Sequence, residues 1–289
     1  MRLNNYFPRV DVVASSQFAT LLTEAANSLG VQINHLDPNL ANSELCKVAK
    51  GSSVVTFINV PANTVLVNLF ERELIRCAPS SKLINTISEQ SSRFKMGSLD
   101  NGIKLQVIVA RSPHGQIASW TPFSMSEDSA EQMIVVPAPN LTESDLELAQ
   151  NYAIQIAGEI GLIGVLNVGI EILESRPTLI DIDYGPSRLG LWTLNGSITS
   201  QFEQHLRAIL DLPLGDTSLK AKWTVTGDIK VGRKQDMYRP YLHLMARTPE
   251  MKFWQGFNDG FLSIQGDELS YLKGEIEHAL LYFKGEIDE

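Results

Sequence analysis

The first eighty residues alternate between apolar runs of strand length and amphipathic runs of helix length. Val10 to Ala14 is a short apolar run, and FATLLTEAANSLG behind it repeats apolar residues at helical spacing up to Gly30. A second strand is predicted over the alternating stretch VQINHLDP, which ends at Pro38, and a third over SVVTFINV. An amphipathic helix is predicted over NTVLVNLFERELIRCA, before Pro79. This order predicts a small α/β unit with a parallel sheet over residues 1–80.

Polar residues dominate 81–102, where the periodicity is the weakest in the chain, and we predict a linker there. After this segment we predict three strands of an antiparallel meander, over IKLQVIVARS, QIASWTPF and EQMIVVPAP. The helix ESDLELAQNYAIQIAGEIG begins at a capping-box pattern of Thr142 and Asp145 and ends at Gly161. Residues 103–289 are therefore predicted to form a second unit, of α+β type.

A hairpin and two helices complete the pattern. IGVLNVGIEIL and TLIDIDY predict two strands joined by a turn over Glu174 to Pro177. A long helix is predicted from Ser197 to Leu210, and ELSYLKGEIEHALLYFKG predicts the last helix. A spacing of four and three places three apolar side chains of the long helix on one face, toward the core. These three are Phe202, Leu206 and Ile209.

Composition and charge exclude several classes of function. Of the 289 residues, 44% are hydrophobic and 20% are charged, which is ordinary for a globular protein. The 33 acidic against 24 basic side chains give a net charge of −9, which disfavours binding to nucleic acid and to anionic lipid. No apolar stretch reaches the roughly 18 residues of a membrane span, and the first residues lack the apolar core of a secretory signal. A cytoplasmic protein without membrane contacts is therefore expected.

The hairpin carries the best candidate site for chemistry. Side chains alternate along a strand, so Asn167, Gly169 and Glu171 share one face, and Asp181 and Asp183 share a face of the return strand. Two or three carboxylates that meet there would suit Mg²⁺, which prefers carboxylate and phosphate oxygens. The alternative is an edge hairpin whose polar face is simply solvated.

Other kinds of site find little support in the pattern of residues. The five histidines are scattered and form no HExxH or HxH pattern for zinc. Cys46 and Cys77 lack the CxxC spacing of metal and redox sites, so we expect both to be buried small side chains. No GxSxG nucleophile elbow and no GxxxxGK[ST] phosphate loop is present. The first strand-to-helix turn contains no glycine, so Ser15 and its neighbours indicate a plain helix cap or, alternatively, a weak anion site.

Several segments resemble one enzyme family. These are TSQFEQHLRAILDLPLGD, VIVARSPHGQIASW, AGEIGLIGVLNV and GPSRLGLWT, together with SLGVQINHLDPNL and SSVVTFINVPA near the start. They resemble the PurK type of ATP-grasp proteins, the carboxyaminoimidazole ribonucleotide synthetases of purine biosynthesis. The resemblance implies ATP-dependent coupling of bicarbonate to aminoimidazole ribonucleotide, with Mg-ATP as cofactor. It also implies an N-terminal α/β pre-ATP-grasp domain, an ATP-binding lid, a C-terminal ATP-grasp domain, and a homodimer.

The chain departs from the family at the positions that bind ATP and metal. About ten residues stand where the family inserts a lid with a glycine-rich loop and a lysine, so we expect the lid to be missing. The two glutamates that bind Mg²⁺ in the family correspond to Gly169 and Asp181. Glu171, two residues further on and on the same face, is the other candidate metal ligand.

The family's substrate-binding positions have changed as well. The arginine and histidine of the RPHNSGH motif correspond to Gly185 and Ser187, while Arg188 is new. Arg247 and Lys252 are the only candidates for the basic residues that hold the ribonucleotide phosphate. We therefore predict a degenerate homologue with no cofactor, acting as a non-catalytic scaffold or binding protein, either for a protein partner or for a remnant nucleotide-like ligand. The alternative is a residual carboxylating ligase that uses Mg-ATP.

Overall fold

The computed structural model describes residues 7–60, 63–94, 102–125, 132–230, 238–255 and 259–287. Its strands are β1 (Arg9–Ala14), β2 (Gln32–His35), β3 (Val54–Ile58), β4 (Cys77–Ala78), β5 (Ile103–Arg111), β6 (Ile117–Ser119), β7 (Ser124–Met125), β8 (Met133–Val136), β9 (Gly164–Leu173), β10 (Arg176–Tyr184), β11 (Trp223–Lys230), β12 (Lys252–Gln255) and β13 (Asp259–Gly266). Its helices are α1 (Ser16–Leu29), α2 (Asn42–Ala49), α3 (Thr64–Arg72), α4 (Ser81–Phe94), α5 (Glu143–Glu159), α6 (Thr193–Gly196), α7 (Gln201–Leu210), α8 (Tyr238–Arg247) and α9 (Leu269–Lys284). Within the described ranges, no helix has the length and apolar character needed to cross a membrane.

The N-terminal strands form a four-stranded parallel sheet in the order β2-β1-β3-β4, which confirms the predicted parallel α/β unit. Because β2 pairs on one side of β1 and β3 on the other, the strand order reverses between β1 and β3. In open α/β sheets, ligands bind outside the carboxyl ends of the strands at such a point. Ser15 and Asn59 follow these two strand ends, and the Asn59 side-chain amide donates to Ser15 Oγ over 3.3 Å.

Three helices differ from the prediction in this region. The helix predicted to run to Ala78 ends at Arg72, because Leu74 adopts a left-handed backbone (φ 60°) and Cys77–Ala78 pair with β3 instead. Helix α2 was not predicted, since its few apolar residues give a weak pattern. The predicted linker over 81–102 was wrong for its larger part: it contains α4, whose Leu83 is buried against the next sheet.

The second sheet is antiparallel in the order β10-β9-β5-β6 and contains the predicted hairpin of β9 and β10. Helix α5 packs on one face of it and begins at the predicted capping box, in which Thr142 Oγ1 accepts from the Asp145 amide. The opposite face carries Asn167, Gly169 and Glu171 of β9. That face is the candidate site.

A third sheet, in the order β12-β13-β11-β8-β7, was only partly predicted. The expectation of a three-strand meander was wrong, because β8 leaves the β5–β6 pair and joins β11, about ninety residues later in the chain. Helix α9 packs across this sheet and was predicted with nearly its observed limits.

Helix α7 joins the N-terminal sheet to the rest of the molecule. It begins at Gln201 rather than Ser197, because Ser200 is the capping residue and accepts from the Glu203 amide. The predicted core residues are confirmed: Phe202, Leu206 and Ile209 are all fully buried. They share one core with β1, β3 and α1 of the N-terminal unit, so the two units are packed through a continuous apolar interface.

Candidate functional site

The hairpin aligns the predicted polar residues across its two strands. Asp181 lies opposite Gly169, and Asp183 lies opposite Asn167. The register shifts between Leu179 and Asp181, where one extra residue sits on β10. The polar residues that the alternation placed on one face therefore lie side by side, with two aspartates on one strand and an asparagine and a glycine opposite them on the other.

Gly169 leaves no space for a metal-binding side chain. A Cβ atom at this position would lie 2.9 Å from Asp181 Cβ and 3.2 Å from the Asp181 backbone nitrogen. It would also lie 3.1 Å from Gln106 Nε2. These neighbours occupy the volume that a longer residue would need, so a longer side chain at position 169 would require the return strand to shift.

The two carboxylates proposed as metal ligands lie in different environments. Glu171 is 1% exposed, and its Oε1 accepts from the Gly102 amide over 3.3 Å. Asp181 is exposed to solvent. Since Gly169 contributes no oxygen between them, the set does not fit Mg²⁺, which needs near-octahedral oxygen ligation. Among the residues that the structure describes, no three His, Cys, Asp or Glu side chains are arranged to hold a metal ion.

A cleft opens between the N-terminal sheet, α4 and the end of β10. One chamber, of about 220 Å³, is walled by apolar side chains and reaches the aspartate of the hairpin; its lining includes Phe57, Val60, Ile84, Ile87, Asp183 and Tyr184. An adjoining chamber of about 400 Å³ extends toward Asn59 and Pro186 and shares Asp183. The cleft thus meets the carboxyl edge of the parallel sheet, where the fold places ligand sites.

Asp183 is the only acidic residue among the described residues that line this cleft. Its pKa is raised, first by desolvation against the cleft walls and second by repulsion from Asp181. The backbone amide of Tyr184 partly offsets both effects by hydrogen bonding to the carboxylate. Asp183 is therefore the polar group around which a ligand in the cleft would be oriented.

Asn167 lies beside Asp183 and is 2% exposed. Its side-chain amide donates to the carbonyl oxygen of Gly185 over 3.2 Å, which fixes the orientation of the amide group. Its Oδ1 then has no hydrogen-bond partner among the described residues.

Sequence reasoning missed His205, which connects the cleft to the core. It is fully buried on α7; its Nδ1 accepts from the Val165 amide over 3.3 Å, so its Nε2 carries the proton and donates to Thr56 Oγ1 over 2.9 Å. Thr56 Oγ1 in turn donates to the Ala78 carbonyl over 2.7 Å. Burial lowers the pKa of His205 to about 3, so the ring is neutral. The edge of Tyr184 packs on it, with ring centroids 5.9 Å apart.

The predicted basic residues are not brought together. Arg188 forms an ion pair with Asp228 (Nε to Oδ2, 2.9 Å), and Arg247 pairs with Glu275 (3.3 Å). Lys252 begins β12 and is exposed. Arg188 also donates to the Gly260 carbonyl.

Lys252 pairs with Ser263, three residues along β13 from Gly260 and so roughly 10 Å away. Arg188 thus contacts β11 and β13, Arg247 joins α8 to α9, and Lys252 lies on β12, so the three form no common anion site.

Comparison with known proteins identifies the relatives of this arrangement. The chain is 37% identical over 155 residues to the N5-carboxyaminoimidazole ribonucleotide synthase of Mycobacterium tuberculosis, a match that covers 52% of this chain and 36% of that protein. It is 30% identical over 151 residues to the synthase of Bacillus subtilis, covering 52% and 37%. The match thus spans about a third of the length of these curated relatives. No family model matches the chain.

Solved structures agree with these relatives. The N5-carboxyaminoimidazole ribonucleotide synthetase of Thermus thermophilus superposes with a TM-score of 0.79 at 16% identity, over 95% of this chain and 98% of that one. The Aspergillus clavatus synthase, solved with ADP and 5-aminoimidazole ribonucleotide, also gives 0.79, at 18% identity over 97% and 99%. The chain is thus similar to the PurK-type ATP-grasp proteins over about half of its sequence and across its fold. At these identities the structural likeness shows the shared fold.

The hairpin geometry bears on the positions that the sequence resemblance singles out. Gly169 and Asp181, which the resemblance aligns with the family's two metal-binding glutamates, are direct partners across the strands. Gly185, which it aligns with the family's arginine, has φ +88°, and a Cβ there would lie 3.4 Å from the Phe57 carbonyl oxygen. Any larger residue at Gly185 would be strained in this left-handed backbone.

The cleft itself could have been anticipated from one signal in the sequence. Asn59 directly follows a buried strand, in the position where parallel sheets present ligand-binding side chains. What could not be anticipated is that α4, predicted as a linker, supplies one wall of the cleft through Ile84 and Ile87.

Proposed function

We propose that this chain is a PurK-family protein that lacks ATP-dependent carboxylation and acts by binding. The observation that carries the proposal is the packing of Asp181 and Gln106 over Gly169, which occupies the volume of a metal-binding side chain. A single glutamate-to-glycine change in an open site could be compensated by water or by a neighbour. Here Asp181 and Gln106 fill that volume, and Glu171 is buried with its Oε1 on the Gly102 amide.

Two further features support a loss of catalysis. Phosphoryl transfer depends on preorganised positive charge around the phosphates, and removal of one stabilising group typically costs about 10² to 10³ in rate. Gly185 supplies no charge where the family has an arginine, and its backbone conformation disfavours any replacement. We also propose that the family's lid is missing, since only residues 95–102 lie between the end of α4 and the start of β5.

The direct test is Mg-ATP turnover by the purified chain, with and without aminoimidazole ribonucleotide and bicarbonate. We expect no ATP hydrolysis above background. The matched control is the double variant Glu171→Gln with Asp181→Asn, which removes both remaining carboxylates. Identical silent traces for the two proteins support the proposal. Hydrolysis by the unmodified chain that disappears in the double variant would overturn it, because the hairpin would then hold a working metal site.

A residual carboxylating ligase is the second candidate function. It is favoured by the 37% identity to a relative named as a synthase and by the retention of an acidic residue, Asp181, at one metal position. Such an enzyme would use Mg-ATP. Thermal unfolding with Mg-ATP distinguishes the two, because a ligand at 100 times its Kd raises the apparent free energy of unfolding by about 2.7 kcal/mol.

A homodimer, which the family resemblance implies, is also proposed. The N-terminal unit exposes several large apolar side chains on or beside α2 and α3 that a second copy could cover. These are Leu40, Val48, Val65 and Leu74. Sedimentation of the chain at micromolar concentration would measure this, and a mass of one chain would contradict it.

A further inference from the structure

We draw no further inference here: the strongest candidate, the apolar surface patch that α8 presents to solvent through Leu242 and Met245, each 49% exposed, carries none because nothing among the described residues shows what covers it.

Discussion

The interface around α7 and the polar face of the hairpin differ in the side chains that fill them. Around α7, the apolar side chains are fully buried and the one buried histidine has a partner for each ring nitrogen. On the hairpin, Gly169 stands where the resemblance places a metal ligand, and Asp181 and Gln106 fill the volume of a side chain there. The proposed loss of catalysis implies that the contacts that join the two units are maintained separately from the groups that perform the family's chemistry. Retention of the fold is therefore weak evidence for retention of catalysis.

The largest effect is expected in the α7 interface. Leu206 is fully buried between the N-terminal sheet and the second unit. Truncation of Leu206 to Ala should lower the free energy of unfolding by about 2 to 5 kcal/mol, through lost burial and the cavity left behind. Leu242→Ala is the matched control, because Leu242 is 49% exposed and should change stability by no more than about 0.5 kcal/mol. Denaturant unfolding measures both, and equal costs would show that α7 is not the central packing element.

The two regions were not equally accessible from the sequence. The core face of α7 was predictable because Phe202, Leu206 and Ile209 repeat at helical spacing, which is a local property. The partners of His205 were not, since Thr56 lies 149 residues away along the chain and Val165 lies 40 residues away. For the same reason, the pairing of β8 with β11 was missed. Polar helices such as α4 were not predicted because only a few of their residues are buried.

On the hairpin, alternation predicted which residues share a face, and the register confirmed it. It did not predict that the face is closed at one end and open at the other. Whether Gly169 marks an open or a filled site depends on where Gln106 of the adjacent strand places its amide. Whether Asp183 points into a cleft depends on α4, a helix the pattern did not reveal. Tertiary contacts decide both questions.

An intermediate effect is expected from acid. The pKa of His205 in the folded protein is about 3, below its ordinary value of 6.5, so the unfolded chain binds the extra proton first. Stability from this group is therefore complete above about pH 6.5 and falls as the pH drops toward 3, by about 1.4 kcal/mol per pH unit. Unfolding midpoints from pH 7 to pH 4 measure the slope.

The variant His205→Gln is the control for acid unfolding, because glutamine keeps a polar side chain without a proton to gain in this range. Its stability at pH 7 should be lower, and its slope between pH 6 and pH 4 should be shallower than that of the unmodified chain. Because the carboxylates titrate in both proteins, their contributions cancel in the difference between the two slopes. Parallel slopes would mean that His205 is not the group that links acid to the opening of the α7 interface.

The smallest effect is expected on the hairpin, where Gly169→Ala tests whether the face is filled. The added Cβ would lie 2.9 Å from Asp181 Cβ, closer than carbon atoms in contact normally approach, and relief requires movement of β10. We expect a loss of about 1 to 3 kcal/mol in the free energy of unfolding, typical of overpacking. Asp181→Asn, which keeps the volume but removes the charge, should change it by no more than about 0.5 kcal/mol because Asp181 is exposed. If Gly169→Ala were instead neutral or stabilising, the hairpin would have room for a side chain at the metal position, and the contrast with the α7 interface would fail.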